Sequence, residues 1–385
     1  MSASDLLSTI ERISRDVAAA HAADVDLKAR FPSEAISALR EVGVMGAAVP
    51  VELGGLGCDI ARLTEVCTIL GRGCTSTAMI VAMHHIQVLS LVHHAMGEAK
   101  IRDYLRRVAT EQRLIASGTS EVGPSGDMRQ SVCHVVQADD GFGIEKQCTT
   151  VSYGQYADDI LFQGRRSQSA GAGDQVTVLA VRGTYTLEQS GSWDTLGMRG
   201  TCSAGGRLSV HGESWQILAA PFAEVAAQTM TPTSHILWSG CWLGAAEDAV
   251  AKAGRVIRAK AKKSAGQVPP DAYALSSLTG KLQLMRSVIR VLMDDYTAIM
   301  AGGDRGALES VSFALRDNNL KLNTSGLFVE IVSDALRICG IAAYKNDSEL
   351  SLGRHLRDAH SAPLMINNQR IHATNAAALL VHKNL

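Results

Sequence analysis

The hydrophobic spacing of this chain changes character twice, which requires separate lobes rather than one repeating layer. Residues 1–113 read as helices. Leu6, Leu7, Ile10 and Ile13 form an i, i+3/i+4 stripe behind Ser4 and Asp5, which offer a side-chain cap. Pro32-Ser33-Glu34 opens another helix with Ala35, Ile36, Leu39 and Val42 on its apolar face and Gly43 near its end. A Pro/Gly-rich loop over 50–57 precedes helical stretches at 61–70 and 75–94, the latter carrying His84, His85, His93 and His94. Residues 114–224 switch to short β-rich runs punctuated by glycine, such as 134–137, 160–162, 176–181 and 207–210. That texture predicts a small antiparallel barrel or sandwich. The polar stretch 165–174 reads as a hairpin loop. After Pro232 helical spacing returns and persists, which assigns 225–385 to a third lobe. The expected class is α+β: an N-terminal helical domain, a central β-barrel or sandwich, and a C-terminal four-helix-bundle domain.

Composition narrows the function classes. With 46% hydrophobic and 19% charged residues the chain is not a disordered one. A formal net charge of -1 leaves no electrostatic footprint for nucleic acid or an anionic membrane, so a small-molecule ligand or another protein is expected. The eight cysteines form no C-x-x-C pair, which argues against a zinc ribbon or a disulfide framework and for reduced thiols in the cytoplasm. Met1 to Leu7 lacks a basic stretch leading into an apolar core, so no signal peptide is expected. The longest uncharged stretch, 226–246, is too polar for a bilayer span. No G-x-G-x-x-G or G-x-x-x-x-G-K fingerprint occurs. The four histidines of 84–94 lack carboxylate or Cys partners at ligand spacing, so no metal site is expected.

Several short segments then stand in a suggestive series. They are Phe31-Pro32-Ser33-Glu34; Gly43 to Pro50 followed by Gly54-Gly55; Gly118 to Asp127, with Ser120-Glu121 and Ser125-Gly126-Asp127; Trp193 to Thr201; and Arg357-Asp358-Ala359. In this order, across nearly the whole chain, they resemble the acyl-CoA dehydrogenase superfamily. The resemblance implies FAD held between the middle and C-terminal lobes of a homodimer or homotetramer. A flavin ring needs donors at its pyrimidine edge and at N5, and Gly/Ser/Thr-rich strand ends supply them without bulk. Carried over by position, Thr119 and Ser120 face the pyrimidine edge, Ser125 and Gly126 lie near the diphosphate, and Thr150 contacts N5. Cys148 stands where the family usually stacks a Trp on the flavin, which implies a more open flavin face. Glu121, Asp127, Arg199 and Trp193 read as structural.

The resemblance also exposes what is missing. An acyl-CoA dehydrogenase needs a carboxylate to take the α-proton of the thioester while hydride leaves the β-carbon. The family position nine residues after Arg357 is Ile366, followed by Asn367. The alternative position, on the first long C-terminal helix, is Ser234 followed by His235. Neither carries a carboxylate. Either the base is another residue, with His235 and His360 the nearest candidates, or the reaction is oxygenation by a reduced flavin and O2. Asn368 takes the position of a flavin-contacting Thr. Where many members carry Arg-x-x-Phe toward the neighbouring subunit's FAD, this chain has Lys260-Ala261-Lys262-Lys263, a run that meets phosphate or forms a solvated face.

The resulting expectation is an FAD-dependent oxidoreductase acting on a CoA-type thioester by O2-dependent oxygenation, with a flavin reductase as a candidate partner. Ser234 and His360 are the expected substrate contacts; His235, Ile366 and Asn367 mark the reacting centre. Its rivals are a dehydrogenase with His235 as displaced base, and a non-catalytic subunit of a heteromeric dehydrogenase.

Overall fold

The computed structural model describes residues 3–124, 127–264 and 268–382. The first lobe comprises α1 (Ala3–Ile13), α2 (Ala19–Leu27), α3 (Ser33–Glu41), α4 (Ile60–Gly73), α5 (Thr75–His94) and α6 (Ala99–Glu111). Gly43, at φ +83, turns the chain out of α3, and Asp59 caps α4 by accepting from the Arg62 amide at 2.8 Å. By length and composition α5 is apolar enough to cross a membrane, but 89% of its apolar window is buried inside the protein, so it is a core helix here.

The middle lobe is built from β1 (Ile115–Ser117), β2 (Val136–Ala138), β3 (Gly141–Cys148), β4 (Asp159–Arg165), β5 (Gln175–Ala180), β6 (Tyr185–Ser190), β7 (Gly205–Gly212) and β8 (Ile217–Pro221). Two four-stranded sheets, ordered β1-β4-β5-β8 and β2-β3-β7-β6, form a sandwich rather than a closed barrel. One pairing departs from the antiparallel expectation: β1 runs parallel to β4. Between β1 and β4 the chain leaves to build β2 and β3 of the other sheet, the long crossover that a parallel pair needs. The polar stretch read as a hairpin loop joins antiparallel β4 and β5. In β3 the inward residues Phe142, Ile144, Lys146 and Cys148 alternate with exposed ones.

The third lobe contains α7 (Phe222–Val225), α8 (Thr231–Lys263), α9 (Ala272–Gly302), α10 (Val311–Cys339), α11 (Ile341–Tyr344), α12 (Gly353–Ser361) and α13 (Asn368–Val381). Helical structure resumes at Phe222, ahead of the Pro232 signal. Pro232 lies in the first turn of α8, where its missing amide hydrogen costs no helical bond. A π-helical turn, Ala226–Met230, links α7 to α8.

Glycine sets the closest interlobe approach. A Cβ on Gly71 of α4 would lie 2.4 Å from the Cys241 carbonyl oxygen of α8, and one on Gly244 would lie 2.0 Å from the Thr68 oxygen. Ion pairs fix the β-lobe to its neighbours. Asp159, fully buried, receives both Arg113 nitrogens at 2.7 Å, the Tyr104 hydroxyl at 2.7 Å and the Arg182 amide at 2.9 Å. At the other junction Asp358 accepts the Met198 amide at 2.6 Å, and a Cβ on Gly197 would lie 2.2 Å from the Arg357 oxygen.

Two outcomes follow for stability. Gly244→Ala forces backbone apart and lowers unfolding free energy by about 2 kcal/mol in denaturant titration, the usual scale of overpacking. Burial pushes His84, His93 and His355 down to about 4, so below pH 6.5 the unfolded chain takes up protons that the folded chain refuses. Stability is therefore complete above pH 6.5 and falls toward pH 4, by about 1.4 kcal/mol per pH unit per histidine, read as a falling Tm.

Candidate active site

Beyond β1, Gly118, Thr119 and Ser120 cross the rim of the sandwich. The Gly118 amide donates to Leu161 O at 3.0 Å and the Gln163 side-chain amide donates to Thr119 O at 2.8 Å. Ser120 Oγ donates to Thr150 O at 2.8 Å, accepts the Thr150 amide at 3.0 Å and lies 2.9 Å from Thr150 Oγ1. Three of the nominated residues, 30 positions apart in sequence, thus form one part-buried rim of small hydroxyl and amide groups. Ser125 and Gly126 lie outside the described residues. Next to them, Asp127 pairs with Arg129 at 2.9 Å, and these contacts, with Arg370 of α13 adding its charge, hold the carboxyl below its usual range.

Glu121 accepts Ser131 Oγ at 2.7 Å and the Val132 and Cys133 amides at 3.2 and 2.6 Å, bracing a loop. Arg199 donates to the Asp26 carbonyl at 2.7 Å and to Thr195 O at 2.7 Å, and Trp193 Nε1 donates to Met198 O at 3.1 Å. Cys148 corrects the expectation of an open flavin face. It occupies an inward position of β3 and is 1% exposed, and burial pushes its thiol up to about 11, so it packs into the sandwich.

The turn between α12 and α13 carries the second group of nominated residues. Ile366 and Asn367 take φ values of +57 and +51, a left-handed pair without glycine. A β-branched residue there is strained, and such strain concentrates where a site dictates the backbone. Ile366 is 37% exposed, while Asn367 Oδ1 caps α13 by accepting the Gln369 amide at 3.0 Å. Asn368 points the other way. Its Oδ1 accepts Lys321 Nζ of α10, and its Nδ2 donates to Ser325 Oγ at 3.0 Å.

His235 of α8 is 1% exposed. Its Nδ1 lies 3.0 Å from Asp317 Oδ2 and 3.2 Å from the Asp317 carbonyl oxygen. Both are acceptors, so Nδ1 carries a proton, while Nε2 has no partner among the described residues. Asp317, Lys321 and Ser325 recur every four residues, so one face of α10 serves His235 of α8 and Asn368 of α13.

The other nominated residues fall elsewhere. Ser234 Oγ bonds back to Met230 O at 2.5 Å within its helix. His360, read as a substrate contact, is on the exposed side of α12, whereas His355 and Asp358 face inward. Lys260 is half exposed and pairs with Asp271 on the surface. Of the histidines of α5, His84 bridges lobes, donating from Nε2 to Met45 O at 2.8 Å and accepting the Ile115 amide at 3.0 Å. His93 and His94 both meet Thr229 Oγ1, at 3.1 and 2.9 Å. Among the described residues no group of three potential ligands gathers for a metal. A cavity of about 430 Å³, lined by Cys58, His93, Tyr296 and Met300 among others, includes none of the nominated site residues. Sequence reasoning missed Asp317 and Lys321. The available signal was their position in the buried register of α10 that also contains Phe313, Thr324, Phe328 and Ile331.

Known proteins resemble this chain in sequence and in fold. Residues 2–112 match the family described as acyl-CoA dehydrogenase, N-terminal domain. The chain is 24% identical over 373 residues to cyclohex-1-ene-1-carbonyl-CoA dehydrogenase of Geobacter metallireducens, covering 93% of each. It is 28% identical over 388 residues to L-evernosamine nitrososynthase of a Micromonospora species, covering 94% of this chain and 85% of the relative. Among solved structures, butyryl-CoA dehydrogenase from Megasphaera elsdenii superposes with a TM-score of 0.78 at 19% identity over 98% of both chains. Residues 2–112 are thus an acyl-CoA dehydrogenase N-terminal domain, and the chain shares the fold of butyryl-CoA dehydrogenase over nearly its whole length.

Replacing Asp317 with Ala strips a buried imidazole of its carboxylate. Urea unfolding is expected to show a loss of about 3 kcal/mol, the scale for breaking a buried pair from one side.

Proposed function

We propose that the chain binds FAD between the Thr119-Ser120-Thr150 rim and the turn at 366–368, and oxygenates a CoA-type thioester using O2. The residues fit such a group: the rim offers hydroxyls and strand-end amides without bulk, and Lys321 brings a buried positive charge toward the turn. When bound, the flavin supplies two-electron chemistry, with the substrate or with O2. A flavin reductase provides the electrons if the substrate does not, and the chain works in the cytoplasm as a homodimer or homotetramer.

The observation that carries this reading is Ile366. Its aliphatic side chain stands in the strained turn where the superfamily resemblance puts the proton-abstracting carboxylate, and 362–368 contains no Asp or Glu. A hydrocarbon cannot accept a proton, so the ordinary route to an α,β-unsaturated thioester has no base at this position. His235 then acts as a general base toward an acidic N–H or O–H of the substrate, oriented by Asp317.

A second reading is favoured by that same dyad. His235, with Nδ1 tied to a carboxylate and Nε2 free, is a competent base for dehydrogenation if its lone pair reaches the α-carbon.

Labelled O2 separates the two. Under oxygenation, the reduced FAD-loaded protein puts label from O2 into the product, and anaerobic acyl-CoA leaves the oxidised flavin unbleached. Under dehydrogenation, acyl-CoA bleaches the flavin without O2 and yields an enoyl product without label. His235→Ala is expected to cut kcat by at least about a hundredfold in either case, the usual contribution of a positioned acid or base.

A further inference from the structure

Lys321 is 0% exposed on α10. An ammonium has three protons to donate. Among the described residues it meets one hydrogen-bond acceptor, Asn368 Oδ1, and no carboxylate at ion-pair distance. The other buried lysine of the site region, Lys146, is differently placed. Its Nζ donates to Gln163 O at 2.8 Å, lies 5.9 Å from the Phe162 ring and sits within the field of Glu121. Lys146 too meets one acceptor, but it has an aromatic face and a carboxylate's field beside it, and Lys321 has neither.

Burial alone pushes Lys321 down to about 8, which leaves it mainly charged at neutral pH. An isolated buried charge is costly, and removing it commonly leaves a protein as stable or more so. Its position is also specific. Asn368 turns its oxygen toward Lys321, holds Ser325 with its nitrogen, and directly follows the strained Ile366-Asn367 pair. The lone charge thus lies beside the strained turn, one helical turn along α10 from Asp317.

We propose that Lys321 is an anion-binding residue of the cofactor site: its ammonium, oriented by Asn368, neutralises a negatively charged oxygen of the bound flavin. This inference rests on the reading that the seam holds a flavin. The anionic oxygen belongs either to the phosphate chain or to the pyrimidine edge of the ring, which becomes negative on reduction. The chemistry that Lys321 recognises is the same in both.

The test uses the full chain stripped of flavin, with riboflavin, FMN and FAD titrated by quenching of flavin fluorescence, alongside the Tm of the flavin-free protein. Lys321→Met keeps the length of the side chain and removes the charge. Asn368→Asp keeps the lysine but gives it an internal counter-charge. Both variants are expected to hold or raise the flavin-free Tm and to weaken FAD at least tenfold. Weakened FMN and FAD with unchanged riboflavin assigns the contact to phosphate. Equal weakening of all three, with a lowered flavin reduction potential, assigns it to the ring. Dissociation constants within twofold of wild type for all three flavins overturn the proposal, as does a Tm that drops in Lys321→Met while affinity holds, which makes the lysine structural. A wild-type chain that binds none of the three overturns the flavin reading itself, whereas wild-type binding matched by both variants overturns only the role of Lys321.

Discussion

A site that lies between lobes exists only while the lobes are held in register, and here buried carboxylates do the holding. Asp159 sits at the start of β4 and takes a two-pronged Arg113, a Tyr104 hydroxyl and the Arg182 amide, so every lone pair facing the protein is used. Burial with full satisfaction makes such a carboxylate directional: the arrangement that leaves any donor unpaired is penalised more than the native one is rewarded. Asp358 ties α12 to the 193–202 loop through one oxygen, which accepts the Met198 amide, while its other oxygen has no hydrogen-bond partner among the described residues; burial pushes its carboxyl up against the opposing pull of Arg354 and that amide. The first clamp fixes the rim of the sandwich relative to the N-terminal helices. The second fixes it relative to the turn that carries Ile366.

Within that frame α10 distributes polarity. Asp317, Lys321 and Ser325 interrupt an otherwise apolar face at four-residue spacing, and Ser239 of α8 meets Thr324 of the same helix at 2.8 Å. Each interruption would be a defect in a core that served only to pack. Together they set the tautomer of His235 and the orientation of the Asn368 amide, both of which are decided by which neighbour is an obligatory acceptor or donor. A helix packed against α8, α9, α12 and α13 is the element on which such a stripe can reach both His235 and Asn368.

The lobed plan was legible because hydrophobic period is a local property. The switch from 3.6 to 2 and back again survives any tertiary arrangement, and Gly43, Pro50 and the polar 165–174 stretch mark breaks that depend only on neighbouring residues. The rim was legible for a different reason: Thr119, Ser120 and Thr150 belong to short motifs whose order carries the resemblance. What the chain concealed is long-range. Asp317 meets His235 across 82 positions and Lys321 meets Asn368 across 47, and a polar residue in an apolar stripe looks like a lapse in register until its partner is seen. The parallel pairing of β1 with β4 was hidden likewise, since strand texture does not encode which neighbour a strand will choose. Cys148 was misjudged because position in a motif was taken for direction, whereas the alternation of β3 points it into the sandwich.

The turn at 366–367 joins these strands of evidence. Two consecutive left-handed residues without glycine cost on the order of 1–3 kcal/mol each, and neither Ile nor Asn is there for lack of alternatives, since the chain uses glycine freely at Gly43 and Gly54, where φ is also positive. Something about the side chains is therefore worth more than backbone ease. For Asn367 it is the cap on α13. For Ile366, 37% exposed and with no polar atom to bond, packing inside the monomer is a poor explanation. An aliphatic group maintained in a strained, partly open position excludes water from the turn and accepts no proton.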